Sequence, residues 1–287
     1  MELTQKVLPI ALGIVMLGLG LSLTMADFKR VVLYPKAVAI GLVCQMLVLP
    51  LIAFGLAKGF GLAPEFAVGV MLLAASPGGA TANLFSHLAK GDVALNITLT
   101  AVNSVLSLIT LPLIVNFAIS HFMTTDTTVG MQFGKVIQVI AIVLVPVLIG
   151  MTIRKAKPEL ADKLDKPVRI FSLVVLILVI IGAIASNTEK LGEAFVSVGL
   201  VALLFNLASM AVGYFVPRLA SVEPRQAVAI GMEIGIHNGT LAIFVAGTIF
   251  VSNELPPAAF PAAVYSIIMF FTAGAFGWFS ARRAGTI

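Results

Sequence analysis

One carboxylate stands apart from the other acidic residues of the sequence. Of the thirteen aspartates and glutamates, twelve lie near the start of the chain or at the expected end of an apolar segment, whereas Glu233 lies in the middle of one. A charge deep in a membrane is costly and needs a partner or a proton. Because no lysine or arginine is expected at the same depth, that partner must be a bound cation or a proton. The alternative, a carboxyl group that is protonated or extends to one membrane face, stays open.

Oxygen-bearing side chains suited to a hard cation occur in another apolar segment. Four of them are four, three and four residues apart, a spacing that places them on one helical face: Asn96, Thr100, Asn103 and Ser107. We interpret Asn96 and Thr100 as cation ligands. For Asn103 and Ser107, hydrogen bonding between helices is at least an equal alternative.

Two further polar side chains lie in apolar segments. Gln45 is an amide in an otherwise apolar stretch, and it fits a cation ligand or a hydrogen bond between helices equally well. His237 follows Glu233 by four residues, which on a regular helix places both on one face. A lone histidine is more often a hydrogen-bonded core group than a ligand, so a proton-relay role is the second interpretation.

Two of the long apolar segments are interrupted at their centres. The sequence SPGG at 76–79 interrupts one, and GIHNG at 235–239 interrupts the other. Proline removes a backbone donor and glycine has low helix propensity, so each segment is predicted to form two half-helices that meet in mid-membrane. The start of a half-helix offers free N–H groups to an anion, and the carbonyls before the break suit a cation.

The composition requires a membrane protein. The 287 residues are 60% hydrophobic and 11% charged, against about 45–50% and about 25% in soluble domains. Nine apolar segments are about long enough to cross a hydrocarbon core of roughly 30 Å: 7–25, 36–57, 66–89, 93–120, 131–153, 168–186, 194–217, 225–250 and 258–280. The sequence therefore predicts an all-α polytopic protein with nine transmembrane helices, and the single cysteine, Cys44, excludes an intramolecular disulfide.

Lysine and arginine positions predict the orientation, because positively charged loops are retained in the cytoplasm. Fourteen of the 18 lie after the odd-numbered segments: Lys29, Arg30, Lys36, Lys90, Arg154, Lys155, Lys157, Lys163, Lys166, Arg169, Arg218, Arg225, Arg282 and Arg283. The other side has Lys6, Lys58, Lys135 and Lys190. The N-terminus is thus expected outside and the C-terminus in the cytoplasm. Basic residues used as loop anchors do not form a nucleic-acid surface.

The order of the segments predicts an internal repeat. If segments six to nine repeat segments one to four, equivalent segments lie five spans apart and must run in opposite directions across the membrane. We expect one transmembrane domain over residues 1–287, with a shortened first repeat at 1–120 and an inverted second repeat at 131–287. In such proteins the ligand sites lie where corresponding broken helices meet.

Two stretches carry a resemblance to a known family. SPGGATANLFSHLAKGDVALNITLT at 76–100 and MEIGIHNGTLA at 232–242 resemble the signature stretches of the bile acid:sodium symporter family. The resemblance covers essentially the whole chain and points to a bacterial member similar to homologues of the apical sodium-dependent bile acid transporter. It implies a panel and a core subdomain, broken helices that cross in the core, and two sodium ions beside the crossing.

The resemblance also implies residue roles. The first sodium site would use Asn83, Asn96, Thr100 and Glu233, and the second would use Gln45, Glu233, His237 and the backbone carbonyls near Ile234 and Ile236. The substrate would contact Thr81, Asn238 and Gly239. The sequence departs from the family pattern at three positions: Ala82 and Asn96 stand where relatives often have serine, and His237 where many have glutamine. A weaker second sodium site, or a proton in its place, is the alternative.

These features together predict sodium-coupled symport of an organic carboxylate by alternating access across a bacterial inner membrane. A small monocarboxylate such as pyruvate or pantoate is favoured over a bile salt, because the interior is poor in lysine and arginine. The expected partners are this anion and the lipid bilayer, and the oligomeric state does not follow from the sequence. The alternatives are a proton-coupled carrier, a passive channel, and an intramembrane enzyme that uses Glu233 and His237.

Overall fold

A computed structural model describes residues 8–123, 133–185, 188–250 and 256–284, and within these ranges it contains helices and short connections but no β-strand. In chain order the helices are α1 (Leu8–Ser22), α2 (Met25–Lys29), α3 (Pro35–Gly59), α4 (Pro64–Ala75), α5 (Ala80–Leu88), α6 (Val93–Phe122), α7 (Phe133–Ala156), α8 (Pro158–Ala185), α9 (Thr188–Leu219), α10 (Pro224–Gly235), α11 (Gly239–Ile249) and α12 (Phe260–Ala284). Lys6, which the orientation count used, lies outside the described residues, as do the side chains of Arg169, Lys190 and Arg283.

The helices are those of a multi-pass membrane protein. Six described segments are long and apolar enough to span a bilayer: Pro35–Gly59, Val93–Phe122, Gly134–Ala156, Val196–Leu219, Pro224–Ile249 and Pro257–Arg282. A seventh is obtained if α1 and the segment Met25–Val32, which are bent by 69°, form one span. The all-α prediction is therefore confirmed, and the count of nine spans stays a prediction.

The first break follows from its local sequence. Helix α4 ends at Ala75, and Ser76 is extended (φ −76°, ψ 137°), as expected for a residue that precedes a proline. The Ser76 hydroxyl donates back to the Leu73 carbonyl at 2.7 Å. Gly79 is also extended and precedes α5 without a side chain that caps the helix. The Ala82 N–H donates to the Gly79 carbonyl at 2.9 Å, and no side chain of Gly79 caps the N–H groups of Ala80 and Thr81 before it.

The second break contains no proline and is held by neighbouring helices. Helix α10 ends at Gly235, whose carbonyl accepts hydrogen bonds from Asn206 Nδ2 and from the Tyr265 hydroxyl, each at 2.9 Å. Asn238 caps α11 by accepting from Leu241 N at 3.0 Å. Its own N–H donates to the Pro77 carbonyl at 2.8 Å. This backbone hydrogen bond joins the two breaks.

The broken segment Pro224–Ile249 lies deepest in the protein. About 94% of its most apolar stretch is buried, against 44% of the corresponding stretches of α3 and α6. Helix α10 packs on α9, α6 and α5, and α11 packs on α12 and α4. Helix α3 passes close by and widens to a π-helical turn over Cys44–Val48, which carries Gln45. The polar side chains predicted to act together are thus carried by helices that surround one buried segment.

Candidate functional site

Glu233 is fully buried, and only neutral groups donate to its carboxylate. Thr100 Oγ1 donates to Oε2 at 2.6 Å, and Asn103 Nδ2 donates to Oε1 at 3.4 Å. The backbone N–H of Gly78, in the first break, is the third donor. Among the described residues, no salt bridge reaches this carboxylate. All of these contacts suit the ionised form, yet none of them neutralises its charge.

Thr100 contacts each of the other three residues expected in the first sodium site, Asn96 through its backbone carbonyl at 3.1 Å. The Thr100 hydroxyl lies 3.5 Å from Asn83 Oδ1 and bonds Glu233 as well. Asn96 lies one turn away on α6, and its Nδ2 donates to the Ala229 carbonyl at 2.7 Å. The Asn96 amide oxygen is buried without a hydrogen-bond partner. Carboxylate, hydroxyl and amide oxygens are therefore grouped around the first break, which is the donor set of a hard cation.

The residues expected in the second sodium site meet at a backbone carbonyl rather than at Glu233. Gln45 Nε2 lies 3.1 Å and His237 Nδ1 lies 2.9 Å from the Ser76 carbonyl oxygen. Because a carbonyl only accepts, both nitrogens act as donors there. Gln45 Oε1 and His237 Nε2 are buried without partners. Ile234 and Ile236, which lie in the same broken segment as His237, are also buried.

The imidazole of His237 is fixed between two aromatic rings. It stacks on Phe205 with centroids 5.6 Å apart and planes 15° apart, and it lies 5.4 Å from the Tyr265 ring. Tyr265 in turn donates to the Gly235 carbonyl. A stacked, hydrogen-bonded imidazole in this position is held rigidly, as expected of a core group as well as of a ligand.

The residues expected to contact substrate line one cavity. It has a volume of about 280 Å³ and lies between α1, the starts of α5 and α11, α8 and α12. Thr81, Asn238 and Gly239 lie on its wall together with His237. The described side chains of its wall include no lysine or arginine, so these residues would bind an anion by helix N-termini and amides.

Several contact residues were not predicted from the sequence. Gly78 approaches Glu233 so closely that a Cβ there would lie 2.6 Å from the carboxyl group. Asn206 and Tyr265 donate to the Gly235 carbonyl; Asn206, an amide in an apolar stretch like Gln45, carried a signal that could have identified it, and Tyr265 did not. For Asn103, the sequence left a role in the site and a role in helix packing as equal alternatives. The signal that pointed to the site was its position three residues after Thr100 on the polar face of the helix.

Comparison with known proteins identifies the family. The family model described as "Sodium Bile acid symporter family" matches residues 9–194. The chain belongs to the sodium bile acid symporter family. It is 30% identical over 258 residues to the uncharacterized sodium-dependent transporter YocS of Bacillus subtilis, covering 90% of this chain and 78% of that protein.

Two eukaryotic members are similar over most of this chain. The ileal sodium/bile acid cotransporter of Oryctolagus cuniculus is 26% identical over 95% of this chain and 78% of its own length. The probable sodium/metabolite cotransporter BASS1 of Arabidopsis thaliana chloroplasts is 29% identical over 90% of this chain, and the chain spans 62% of its length. Membership of the symporter family makes the chain a membrane transport protein rather than an enzyme, so the intramembrane-enzyme alternative is set aside.

Proposed function

We propose that this member of the sodium bile acid symporter family imports an organic carboxylate together with sodium by alternating access. The observation that carries the proposal is Glu233, a fully buried carboxylate to which, within the described part of the chain, only neutral groups donate hydrogen bonds. Burying an unpaired charge is costly, so this centre is stabilised when a cation binds. The relatives are named as a sodium-dependent transporter and as sodium cotransporters, which supports sodium as that cation.

The sodium ligands follow from the oxygens around the breaks. A first ion would be bound by Asn83, Asn96, Thr100 and Glu233, because the orphaned Asn96 amide oxygen and the Asn83–Thr100 contact offer neutral ligands beside the carboxylate. A second ion would use Gln45, Glu233, His237 and the carbonyls of Ile234 and Ile236. Two sodium ions with one monovalent anion carry one net charge inward, which gains roughly 2.3 kcal/mol per 100 mV of membrane potential.

The substrate would lie in the 280 Å³ cavity with its carboxylate against the half-helix starts. The first turn of α5 has no side-chain cap, and its Ala82 N–H donates to the Gly79 carbonyl, so the N–H groups of Ala80 and Thr81 are the ones offered to an anion. Asn238 and Gly239 offer the start of α11 from the other break. A cavity of this volume, whose described wall residues include no lysine or arginine, favours a small monocarboxylate such as pyruvate or pantoate over a bile salt.

We extend the proposal to nine spans, to the inverted repeat of residues 1–120 and 131–287 with its panel and core, and to a cytoplasmic C-terminus. Hydrogen bonds near the helix ends support it. Arg225 Nε donates to the Lys90 carbonyl at 3.3 Å, and Arg154 Nε donates to the Leu21 carbonyl, so helix ends expected on the cytoplasmic side are neighbours. Lys135 Nζ donates to the Ile249 carbonyl at 3.2 Å on the expected outer side.

The test is the thermal stability of the purified protein with a panel of carboxylates, in sodium and in choline at equal ionic strength. Ligands that bind the native state raise its stability by mass action. We expect one acid to stabilise the protein only when sodium is present. The same acid should accumulate against its gradient in proteoliposomes that carry an inward sodium gradient, and a passive channel would not concentrate it.

A proton-coupled carrier is the second candidate, and one observation favours it. His237 stands in the wall of the substrate cavity with Nε2 buried and unpartnered, where a proton has an acceptor. Proton coupling would be supported if an acid stabilised the protein equally in sodium and in choline and if a proton gradient alone drove its uptake. Both results together would contradict sodium coupling.

A further inference from the structure

An open apolar groove lies between the C-terminal half of α12 and the end of α5. It has a volume of about 410 Å³ and shares only Phe85 with the wall of the substrate cavity. Phe85 and Leu88 form its wall on α5, and the wall on α12 consists of Ala273, Gly274, Gly277, Trp278, Ala281 and Arg282. Among these described residues Arg282 carries the one charge, and none has a carboxylate. The groove is therefore apolar along its length and positive at one end.

The wall on α12 has a covered row and an open row. Ala273 and Gly277 are four residues apart and buried, and a Cβ at Gly277 would lie 3.6 Å from the Cβ of Ala89. Gly274 and Trp278 are also four residues apart, but both are exposed, and a Cβ at Gly274 would meet nothing within 4 Å. The row of small residues that could serve a second copy of the chain is thus already packed against this one. The open row leaves space for a narrow apolar chain.

The positive end of the groove lies at the end of a membrane span. Arg282 is the last residue of the span Pro257–Arg282, and its guanidinium lies over the Trp278 ring, 3.9 Å from the centroid. Trp278 is 58% exposed, as is typical of a tryptophan at a membrane–water interface. A guanidinium stacked on a ring keeps its N–H groups in its own plane, where they suit a phosphate. Lys90, two residues beyond Leu88, is exposed and adds a second positive charge at the end of α5.

We infer that this groove binds one phospholipid with an anionic headgroup, from the leaflet at the C-terminal end of α12, which is the expected cytoplasmic one. An acyl chain would lie over Gly274 between α12 and α5, and the phosphate would accept hydrogen bonds from Arg282. A zwitterionic headgroup would bring an ammonium group, for which the described wall offers no carboxylate. The inference does not depend on sodium coupling or on the identity of the transported acid.

The test uses Trp278, which is the single tryptophan of the chain, so its fluorescence reports on this groove. The full chain is reconstituted in phosphatidylcholine, and either brominated phosphatidylglycerol or brominated phosphatidylcholine is added. Bromine on an acyl chain quenches tryptophan only at close approach, so the two curves give the relative affinity of the two lipids. We expect phosphatidylglycerol to be preferred at least about tenfold, against the roughly fivefold that one basic residue near a membrane surface supplies.

Two variants separate the headgroup from the acyl chain, and each curve is normalised to the same variant without brominated lipid. Arg282→Gln should lower the preference at least about fivefold, because the charge at the phosphate is lost. Gly274→Leu fills the open row without meeting another part of the protein at its Cβ, and it should leave equal quenching by the two lipids. The matched control is Lys36→Gln, an exposed residue in the first turn of α3 on the same expected side, which should keep the wild-type preference.

Several results would overturn the inference. An equal decrease in Arg282→Gln and Lys36→Gln, or a wild-type preference of about fivefold or less, would assign the effect to the surface charge of the protein. Quenching by neither lipid would mean that a second copy or another part of the chain covers Trp278. Glycerol 3-phosphate in excess should leave the quenching by phosphatidylglycerol unchanged, and displacement of the lipid by it would make the ligand a soluble phosphate.

Discussion

The two interrupted segments achieve a similar break with different means. The break between α4 and α5 contains Pro77, Gly78 and Gly79 and presents mainly backbone atoms to its surroundings. The break between α10 and α11 follows Glu233 and contains the side chains of His237 and Asn238. The first is set by its local sequence, and the second by hydrogen bonds from neighbouring helices to the Gly235 carbonyl.

This difference assigns different roles to the two breaks. The first provides a bare surface that lets groups approach the backbone, and the second provides the charged and polar side chains. Adding an atom should therefore damage the first break, and changing a polar atom should damage the second. The four predictions that follow use this distinction, from the largest expected effect to the smallest.

Replacing Glu233 by glutamine removes the charge of the second break and keeps its shape. Leaving a buried charge without its partner costs about 3–5 kcal/mol, so losing the carboxylate should weaken sodium binding by roughly a hundredfold or more. We expect sodium-driven uptake in proteoliposomes to fall to the level of empty vesicles. Glu223→Gln, at an exposed helix start, is the control and should retain uptake. Sodium-driven uptake that persists in Glu233→Gln would contradict the proposed mechanism.

Gly78→Ala adds one methyl group to the first break. A Cβ at this position would lie 2.6 Å from the Glu233 carboxyl carbon, whereas a Cβ at Gly79 would meet nothing within 4 Å. We expect stabilisation by sodium alone to be lost in Gly78→Ala and kept in Gly79→Ala, as measured by the shift in melting temperature on replacing choline with sodium. Equal shifts in the two variants would show that the first break tolerates bulk.

Gly239→Ala tests whether the start of α11 also needs a bare backbone. The added Cβ would lie 2.0 Å from Ser266 Oγ on α12, and overpacking of this kind costs about 1–3 kcal/mol. The melting temperature should fall, and it should recover in Gly239→Ala/Ser266→Ala, because the nearest remaining atoms would then be 3.4 Å away. A double variant no more stable than the single one would assign the clash to another contact.

Two substitutions of Asn238 distinguish a helix-capping role from a substrate-binding role. Asn238→Ala removes the cap on Leu241 N and should lower stability by about 1 kcal/mol. Asn238→Asp keeps an oxygen for the cap but places a negative charge beside an anion. We expect near wild-type thermal stability and weakened uptake in the aspartate variant. If Asn238→Asp transports as well as the wild type, the Asn238 amide does not contact the substrate.

Local sequence was sufficient for the helical class, for both breaks and for the isolation of Glu233. Hydropathy and the SPGG and GIHNG interruptions depend on neighbours in the chain, and the structure ends α4 and α10 at those interruptions. The spacing of polar residues on α6 likewise predicted one face, and Thr100 and Asn103 both reach Glu233 from it.

Contacts between distant segments could not be read from the sequence. Periodicity does not tell which partner a buried amide takes, so the meeting of Gln45 and His237 at the Ser76 carbonyl was not foreseen. The π-helical turn at Gln45 shifts the register of α3 and has no sequence signal of its own. Gly78 belonged to the predicted break, but its contact with Glu233 depends on how the two segments pack.

Helix α7 is anchored at each end to a different neighbour. Near its C-terminus Arg154 binds the carbonyl end of α1, and near its N-terminus Lys135 binds the carbonyl end of α11. These two hydrogen bonds would respond differently to a movement of α7. Because α1 packs along α7, the Arg154 hydrogen bond would move with this helix pair. If α1 and α7 rock against the broken segment in the proposed transport cycle, the Lys135 hydrogen bond would open in each cycle. On this proposal, Lys135 would hold α7 to the end of α11 on the expected outer side in one state of the cavity and release it in the other.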